Sequence, residues 1–291
     1  MDRGDRYFLM VATTGSLRKA ADQLRIASSA ISRQIAMLED ELGIELFERA
    51  RQGMALTQAG EIYLAYVRNA SQEADRVHSE LDALKGLQRG HVKVVTVEGL
   101  VSDFVMRACL DFRRRYPGVT LELSTAGSHM VTRSILEREA DIGISMNAKD
   151  EDGIDVIFSQ EDPLLLVMAP DHELRRADAV RITEVVAQFP FALPPPSFGI
   201  RSLVDACVPD RLSPALVTNS IEALRAFARL GHGVTFLPSL AVREDLASGR
   251  LVGVRLADPR LRGMVTDVYI AQGRRPPLPA EKLLSCLKAA L

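Results

Sequence analysis

The sequence predicts an α+α/β chain, with a mostly helical N-terminal part and an alternating α/β C-terminal part. Apolar residues recur at helical spacing over residues 7–84, whereas strand-like and helix-like runs alternate over residues 91–291. The length of 291 residues exceeds one typical domain of about 100 to 200 residues. Together these observations predict two or three domains.

The composition is that of a folded chain without a strong net charge. Apolar residues make up 47% of the chain, and 36 basic side chains oppose 38 acidic ones. Any affinity for nucleic acid must therefore arise from a local basic patch and not from the charge of the whole chain.

The sequence carries no signal for a disulfide framework, a metal site or a membrane span. Cys109, Cys207 and Cys286 are odd in number and form no CxxC pair. No signal-peptide h-region, transmembrane window, nucleophile elbow, phosphate loop or pair of catalytic acids is found. We expect a cytoplasmic protein that is not an enzyme and holds no cofactor.

Two short helices open the chain. Residues 7–11 predict the first, which the turn at Thr13-Thr14-Gly15 ends. Ser16 is the predicted N-cap of the second helix, residues 17–24. Alanines on the inner face of this second helix permit close approach to its neighbours.

Residues 28–43 predict a third helix, which forms a helix-turn-helix with the second. Its apolar residues fall on one stripe, predicted to be buried: Ile31, Ile35, Leu38 and Leu42. The opposite face presents Ser29, Ser32 and Arg33, which suit the major groove because Ser bonds bases or phosphates and Arg bridges guanine. For this helix alone, an ordinary amphipathic surface helix remains the alternative.

Residues 46–57 predict a β-hairpin with a basic tip, a wing beside the third helix. Acidic and basic side chains balance over residues 1–59, but the acids concentrate between Glu39 and Glu48. Most of the bases surround the start of the third helix or lie on the wing. We therefore expect a local positive face whose affinity for DNA weakens readily with salt.

Segments at fixed spacings run through residues 7–60: Tyr7-Phe8-Leu9, Gly15-Ser16-Leu17, Ala30 to Ile35, Leu46 to Arg49 and Leu56 to Gly60. Together they resemble the LysR-type transcriptional regulators. The resemblance implies a winged helix-turn-helix that binds promoter DNA as a dimer. On this basis the family's base- and phosphate-contacting positions correspond to Ser28, Ser29, Ser32, Arg33 and the wing residues Arg49 and Arg51. Arg18 and Gln34 are further expected DNA-binding residues.

The start of the third helix departs from that family. Many members open it with Ser-Gln-Pro, whereas this chain has Ala27-Ser28-Ser29. The operator preference of those members therefore does not carry over. Without the fixed φ of proline, Ser28 or Ser29 is expected to cap the helix instead.

A long helix is predicted from Gln58 to about Leu84. At about 1.5 Å per residue, this helix would be ~40 Å long. Its apolar residues follow the 4-3 spacing of a coiled-coil seam. This spacing predicts a dimerisation helix, with a helix packed on its own chain as the alternative. Residues 85–90 predict a hinge. The seam residues are Tyr63, Val67, Ala70, Ala74, Val77, Leu81 and Leu84.

Residues 91–145 predict a βαβαβ unit and hence a parallel sheet. Its strands are predicted at 91–97, 119–124 and 141–145, and its helices at 102–116 and 130–139.

Two further apolar runs predict a second lobe. The run Leu164 to Ala169 predicts a strand that crosses between the lobes, and the run Met264 to Ala271 predicts the strand that returns. Between them lies a second αβ unit, with predicted elements at 189–194, 220–230 and 235–238. The result is a two-lobed clamp of the periplasmic-binding-protein kind.

The C-terminal part also resembles the LysR-type family, in its effector domain. The matching segments are Phe112 to Pro117, Asp141 to Ile144, Gly231 to Pro238 and Leu246 to Val252. The predicted domains are therefore a winged helix-turn-helix at 1–58, a linker helix and hinge at 59–90, and an effector-binding domain at 91–291. Lobe 1 is predicted at about 91–162 with 265–291, and lobe 2 at about 163–264.

Ligands of open α/β folds sit beyond the carboxyl ends of strands, where helix N-termini offer free N–H groups. Glu98 would repel an anionic effector or occupy such N–H groups itself, whereas Arg201, His129 or His232 could restore the attraction. The serines could equally be plain N-caps. The expected effector-binding residues are Glu98, Gly99, Leu100, Ser102, Thr125, Ser128, His129, Phe198, Arg201, Asn219, Ser220 and His232.

The favoured function is a transcription regulator that responds to a small molecule bound between the two lobes. Its expected partners are double-stranded promoter DNA, the effector, further copies of itself as a homodimer or homotetramer, and RNA polymerase if it activates. No membrane partner is expected. The alternative is a solute-binding or ligand-sensing protein that uses the same clamp without binding DNA.

Overall fold

The computed structural model describes residues 2–50, 53–83, 90–148, 151–208, 211–261 and 265–291. Contacts divide the chain into two units, Met1–Leu81 and Asp82–Leu291. Most of the predicted linker helix thus belongs by its contacts to the N-terminal unit, and not to a separate segment that begins after residue 58.

The N-terminal unit is built on three short helices: α1 Arg3–Thr14, α2 Leu17–Leu24 and α3 Ser28–Leu42. Gly15 ends α1 in the left-handed conformation, and the Ser16 side chain caps α2 by accepting a hydrogen bond from the Lys19 N–H, as predicted. The apolar faces of the three helices meet around Phe8, Val11 and Ile31, which are fully buried.

Two details of α3 differ from the prediction. Its N-cap is Ala27, and no side chain caps the helix, so neither Ser28 nor Ser29 takes that role. Leu42 is 44% exposed, because the helix ends there and Gly43, in the left-handed conformation, turns the chain away. The buried stripe therefore stops at Leu38.

The predicted wing is present as an antiparallel hairpin of β1 Phe47–Ala50 and β2 Gly53–Leu56. The Glu39 carboxylate fixes the hairpin to α3, since its Oε1 accepts hydrogen bonds from the Leu46 and Phe47 N–H groups at 2.7 and 3.1 Å. Gly53 has a φ of +131°, and any side chain there would collide with the Gly15 carbonyl. The wing strand is thereby held against the α1–α2 turn. Helix α4, Gln58–Ala83, follows.

The first sheet of the C-terminal unit has five strands in the order β4-β3-β5-β13-β6. Strands β3, β4 and β5 are parallel, while β13 runs antiparallel to β5 and β6. The elements are β3 Gly90–Thr96, α5 Met106–Arg115, β4 Val119–Thr125, α6 Ser128–Leu136, β5 Ile142–Met146, β6 Ile154–Glu161, β13 Val265–Ala271 and α11 Leu278–Ala289.

The second sheet has six strands in the order β10-β9-β11-β7-β12-β8, with the wholly buried β7 near its centre. The elements are β7 Leu164–Met168, β8 Ala179–Val180, α7 Ile182–Gln188, β9 Phe191–Leu193, α8 Gly199–Cys207, β10 Leu216–Val217, α9 Ile221–Arg229, β11 Val234–Pro238, α10 Arg243–Ala247 and β12 Val252–Leu256.

The predicted elements of this unit need three corrections. The run 164–169 does not cross between lobes, because β7 pairs only within the second sheet and the chain passes between sheets at Asp162 and Pro163. Strand β6 was not predicted, although its side chains partly alternate in burial. The helix predicted from residue 102 begins instead as a 3₁₀ turn, Glu98–Leu100, and a π-helical turn, Val101–Val105, before α5.

Among the described residues, no helix has both the length and the apolar character needed to cross a membrane.

Asp162 lies at the passage between the sheets and ties three segments together. It is fully buried, and its carboxylate accepts hydrogen bonds from the Leu240 N–H and the Thr266 hydroxyl, each at 2.8 Å, and from the Ser239 hydroxyl at 3.0 Å. Burial raises the pKa of this carboxyl above its ordinary value, although the three hydrogen bonds and the charge of Arg243 act in the opposite direction.

We expect Asp162→Asn to remove a pH dependence of stability. A raised pKa means that the folded state holds the proton more tightly than the unfolded state, so Asp162 costs stability as the pH rises through and above its ordinary value of 3.8. Asn keeps the shape and cannot ionise. The thermal unfolding midpoint of the variant, relative to the parent chain, should therefore rise as the pH increases above 3.8. Parallel curves for the two proteins would contradict this expectation.

Candidate functional sites

The polar face of α3 is exposed because its opposite face is held in the core. Ile31 and Ile35 are buried at 0% and 4% exposure against α1 and α2. Ser29, Ser32 and Arg33, on the other side, are exposed. This leaves a slim polar ridge with one guanidinium free to enter a groove.

The other predicted DNA-binding positions lie around this ridge. Arg18 is exposed on α2, and Ser28 is exposed as the first residue of α3. Gln34 is half-buried beside Gly4, at the border between the polar and the buried faces. The backbone of Arg49 belongs to β1, but its side chain and all of Arg51 lie outside the described part of the chain.

The first turn of α3 differs from that of α2, which the Ser16 side chain caps. No side chain caps the α3 turn, its first two residues, Ser28 and Ser29, are exposed, and the Ala30 N–H donates to the Ala27 carbonyl at 3.0 Å. An uncapped helix N-terminus attracts anions through its N–H groups and the helix dipole. The start of α3 thus carries the positive end of the helix dipole without a side-chain cap.

The first two residues of the predicted dimer seam are used within their own chain. Val67 is 1% exposed in the core of the N-terminal unit, and the Tyr63 ring packs edge-on against Phe8 with centroids 5.0 Å apart. The Tyr63 hydroxyl donates to Asp5 Oδ1 at 2.7 Å, and burial together with this bond raises the pKa of the phenol. Tyr63 and Val67 are therefore corrected to core residues.

The remainder of α4 keeps an exposed apolar side. Val77 and Leu81 are 41% and 54% exposed, and Ile62 and Tyr66 are exposed nearer the start of the helix. Ala70 and Ala74 are half-buried, and Leu84 lies outside the described residues.

A cleft of about 500 Å³ opens in the C-terminal unit between the elements of its two sheets. Its walls are mostly apolar. The lining residues are Val97, Glu98, Gly99, Leu100, Thr125, Ala126, Gly127, Ser128, Met146, Asn147, Phe198, Gly199, Ile200, Ser202, Leu203, Asn219, Ile221, Pro238 and Ala241. The structure thus brings together these predicted residues: Glu98, Gly99, Leu100, Thr125, Ser128, Phe198 and Asn219.

Five predicted residues lie outside the lining of the cleft. Ser102 accepts a hydrogen bond from Arg225, and Arg201 is paired with Asp205 at 2.8 Å one turn along α8. Ser220 is the N-cap of α9, as its alternative interpretation proposed. The remaining two, His129 and His232, are exposed outside it.

Several lining residues were missed by the sequence analysis. Met146 ends β5 and Asn147 follows it, while Pro238 ends β11 and Ala241 lies three residues beyond it. The carboxyl end of β5 was a usable signal, because β5 is parallel to β3 in the same sheet. Ser202 and Leu203 face the cleft from within α8, where periodicity alone does not distinguish the cleft from the core.

Glu98 spans the cleft. From the side of the first sheet, its Oε2 accepts a hydrogen bond from the N–H of Ile221, the first residue of α9, at 3.2 Å. The Ser220 hydroxyl accepts from the Ala223 N–H at 3.3 Å. Glu98 therefore occupies one helix N–H group, which is one of the two roles expected for it, but on a helix of the opposite lobe.

A buried ionic network joins the two lobes beside the cleft. Arg225 of α9 is 8% exposed and bonds the fully buried Asp245 through Nε at 2.8 Å. Arg225 also donates to Ser102 at 3.1 Å and lies 3.9 Å from Asp103, in the π-helical turn. Burial alone would raise the pKa of Asp245, but hydrogen bonds and charges from Arg250 and Arg225 hold it below its ordinary value.

The cysteines show no sign of an activated thiolate. Burial is the main influence on Cys109, Cys207 and Cys286, and it raises the pKa of each thiol, to about 11 for Cys109. Within the described residues, no group of His, Cys, Asp and Glu side chains could hold a metal ion.

Two sequence families match the chain. Residues 5–61 match the family described as bacterial regulatory helix-turn-helix protein, lysR family, and residues 85–291 match the LysR substrate binding domain. An uncharacterised HTH-type transcriptional regulator of Mycobacterium tuberculosis is 29% identical over 282 residues, covering 93% of this chain and 90% of the relative. The HTH-type transcriptional regulator CrgA of Neisseria meningitidis is 27% identical over 248 residues, covering 84% and 82%.

Solved structures share the fold over the whole chain. A full-length OxyR variant from Pseudomonas aeruginosa has a TM-score of 0.72 at 20% identity and covers 98% of this chain and 96% of that one. Full-length CbnR, solved in complex with its target DNA, has a TM-score of 0.61 at 20% identity and covers both chains completely.

Proposed function

Because this chain belongs to the LysR family of DNA-binding transcription regulators, which are not enzymes, we propose that α3 reads promoter DNA and that the interlobe cleft binds the effector. The N-terminal match over residues 5–61 argues against a solute-binding protein without DNA-binding activity. We further propose that the protein works in the cytoplasm, where it has access to the chromosome.

One observation carries the DNA-binding proposal. The polar ridge of Ser29, Ser32 and Arg33 is exposed while the back of the same helix is anchored in the core. Such an arrangement presents short hydroxyls and one Arg to base edges, and the uncapped N-terminus of α3 offers N–H groups to a phosphate. The wing, which Glu39 fixes to α3, lies beside that helix and adds contacts to the DNA backbone.

The test is a footprint on the intergenic DNA beside the gene of this protein. We expect a protected site at moderate salt, with affinity that falls as salt rises. The absence of a protected site there or elsewhere in the genome would overturn the proposal.

The exposed side of α4 supports a proposed homodimer, and two dimers could form a homotetramer. Val77 and Leu81 continue the 4-3 seam beyond the residues that are buried in their own chain. A partner helix that covers this side would place two α3 ridges on one DNA duplex. If the protein activates transcription, contact with RNA polymerase follows from this placement on the promoter.

We expect Val77→Arg to separate the dimer, because a guanidinium replaces an apolar side chain at the centre of the seam. Light scattering should then give the mass of one chain, 31.9 kDa. DNA affinity should fall by about 100-fold or more, since two linked modules lose their avidity. Leu230→Arg, at a leucine that is 69% exposed at the end of α9, is the control and should change neither property. A Val77→Arg protein that remains oligomeric would place the dimer contact elsewhere.

A further inference from the structure

Glu98 gives the cleft its charge. Among the described residues that line the cleft, Glu98 is the only one with an ionisable side chain. The other walls are apolar side chains, backbone, and the neutral polar groups of Thr125, Ser128, Asn147, Ser202 and Asn219. A ligand that enters the cleft therefore meets one fixed negative charge and no positive side chain among its lining residues.

Two arginines of the second lobe, Arg225 and Arg201, already have acidic partners of their own. Arg225 is buried and bonded to Asp245, and Arg201 is paired with Asp205. At the N-terminus of α9, the Ile221 N–H donates to Glu98 and the Ala223 N–H donates to Ser220, so these two groups are not available to an anion. A carboxylate ligand placed against α9 would lose its water and gain neither a cation nor these two N–H donors.

One oxygen of Glu98 remains for a ligand. Oε2 takes the Ile221 N–H, while a carboxylate has two oxygens and accepts several hydrogen bonds. A ligand that donates a hydrogen bond to Glu98 would therefore bind the carboxylate that already connects the two lobes through the Ile221 N–H. A cationic donor is favoured, because hydrogen bonds between ionised partners are about twice as strong as neutral ones.

Taking the interlobe cleft as the effector site of the proposed function, we propose that the effector is an organic cation. It carries an amine, amidine or guanidine group that pairs with Glu98, and a compact apolar body that packs on Leu100, Ile200, Leu203 and Ile221.

The test uses three probes of nearly the same shape that differ in charge and in the hydrogen-bonding atoms that go with it: benzamidine as the cation, benzamide as the neutral form and benzoate as the anion. Binding to the full chain is measured by calorimetry. We expect benzamidine to bind at least about tenfold more tightly than benzamide, and benzoate to bind most weakly. In Glu98→Gln, which keeps an oxygen for the Ile221 N–H, the preference for the cation should disappear.

Two further variants separate the possible outcomes. Glu184→Gln removes an exposed carboxylate of α7, outside the cleft, and should keep the preference for benzamidine. Gly199→Trp adds bulk at a cleft residue where a Cβ would meet no atom within 4 Å, and should abolish binding of every probe.

Equal binding of the three probes, or tightest binding of benzoate, would overturn the cationic effector while leaving the cleft as the effector site, provided that Gly199→Trp abolishes binding. Binding that Gly199→Trp leaves unchanged would overturn the effector site itself. Failure of all three probes to bind the parent chain at millimolar concentration would also overturn the cationic effector.

Discussion

Arg225→Ala is expected to lower the free energy of unfolding of the effector-binding domain by about 3 to 5 kcal/mol, the range for breaking a buried ion pair from one side. The substitution leaves Asp245 fully buried and Asp103 3% exposed with one guanidinium fewer. It also leaves the Ser102 hydroxyl without its donor from α9. Asp245 keeps its bond from Arg250 at 2.7 Å, and Asp103 keeps the Glu244 N–H at 3.0 Å, so the cost arises mainly from the part of their buried charge that Arg225 had balanced.

The measurement is urea unfolding of the full chain at pH 7, followed by circular dichroism. Arg229→Ala is the matched control on the same helix, because Arg229 is 35% exposed and lies 3.7 Å from Asp245. Its loss should cost no more than about 1 kcal/mol. Similar losses of unfolding free energy in the two variants would show that the contribution of the network to stability does not depend on its burial.

Arg33→Ala is expected to weaken site-specific DNA binding by about 1 to 3 kcal/mol, the range for one Arg that contacts a base edge. Arg33 is exposed in the second turn of α3, on the ridge opposite Ile31 and Ile35. Because this side chain is not part of the core, the variant should unfold at the same urea concentration as the parent chain.

Gel-shift titrations on the footprinted site and on unrelated DNA distinguish base reading from phosphate contact. Loss on the specific site alone indicates base reading, whereas equal loss on both DNAs indicates a phosphate contact. Arg114→Ala serves as the control, since Arg114 is an 81% exposed Arg of α5 in the other unit. If Arg33→Ala binds the specific site with unchanged affinity, the base contacts are made by other residues of the ridge or by the wing.

Local patterns in the sequence determined most of the architecture. The stripe of Ile31, Ile35 and Leu38 placed α3 and its exposed face, because a helix with one apolar side has only one way to turn towards a core. The Ser16 cap and the wing hairpin followed from equally local signals. The alternation of strands and helices predicted both sheets, and sequence families confirm the fold and function that the resemblance implied.

Tertiary structure alone decided which of these residues meet. Tyr63 and Val67 fit a coiled-coil seam by spacing, yet both pack in the core of the N-terminal unit. There Tyr63 contacts Phe8 and Asp5, which are distant from it in the sequence. Glu98 likewise reached its partner, the Ile221 N–H, across 123 positions.

Residues that face a cleft and residues that face a core share the same periodicity, so spacing cannot separate them. That difference depends on how the two sheets pack, which is a property of contacts distant in sequence. For the same reason the sequence predicted a helix with one polar face at residues 28–42, but only the structure showed its first turn without a side-chain cap.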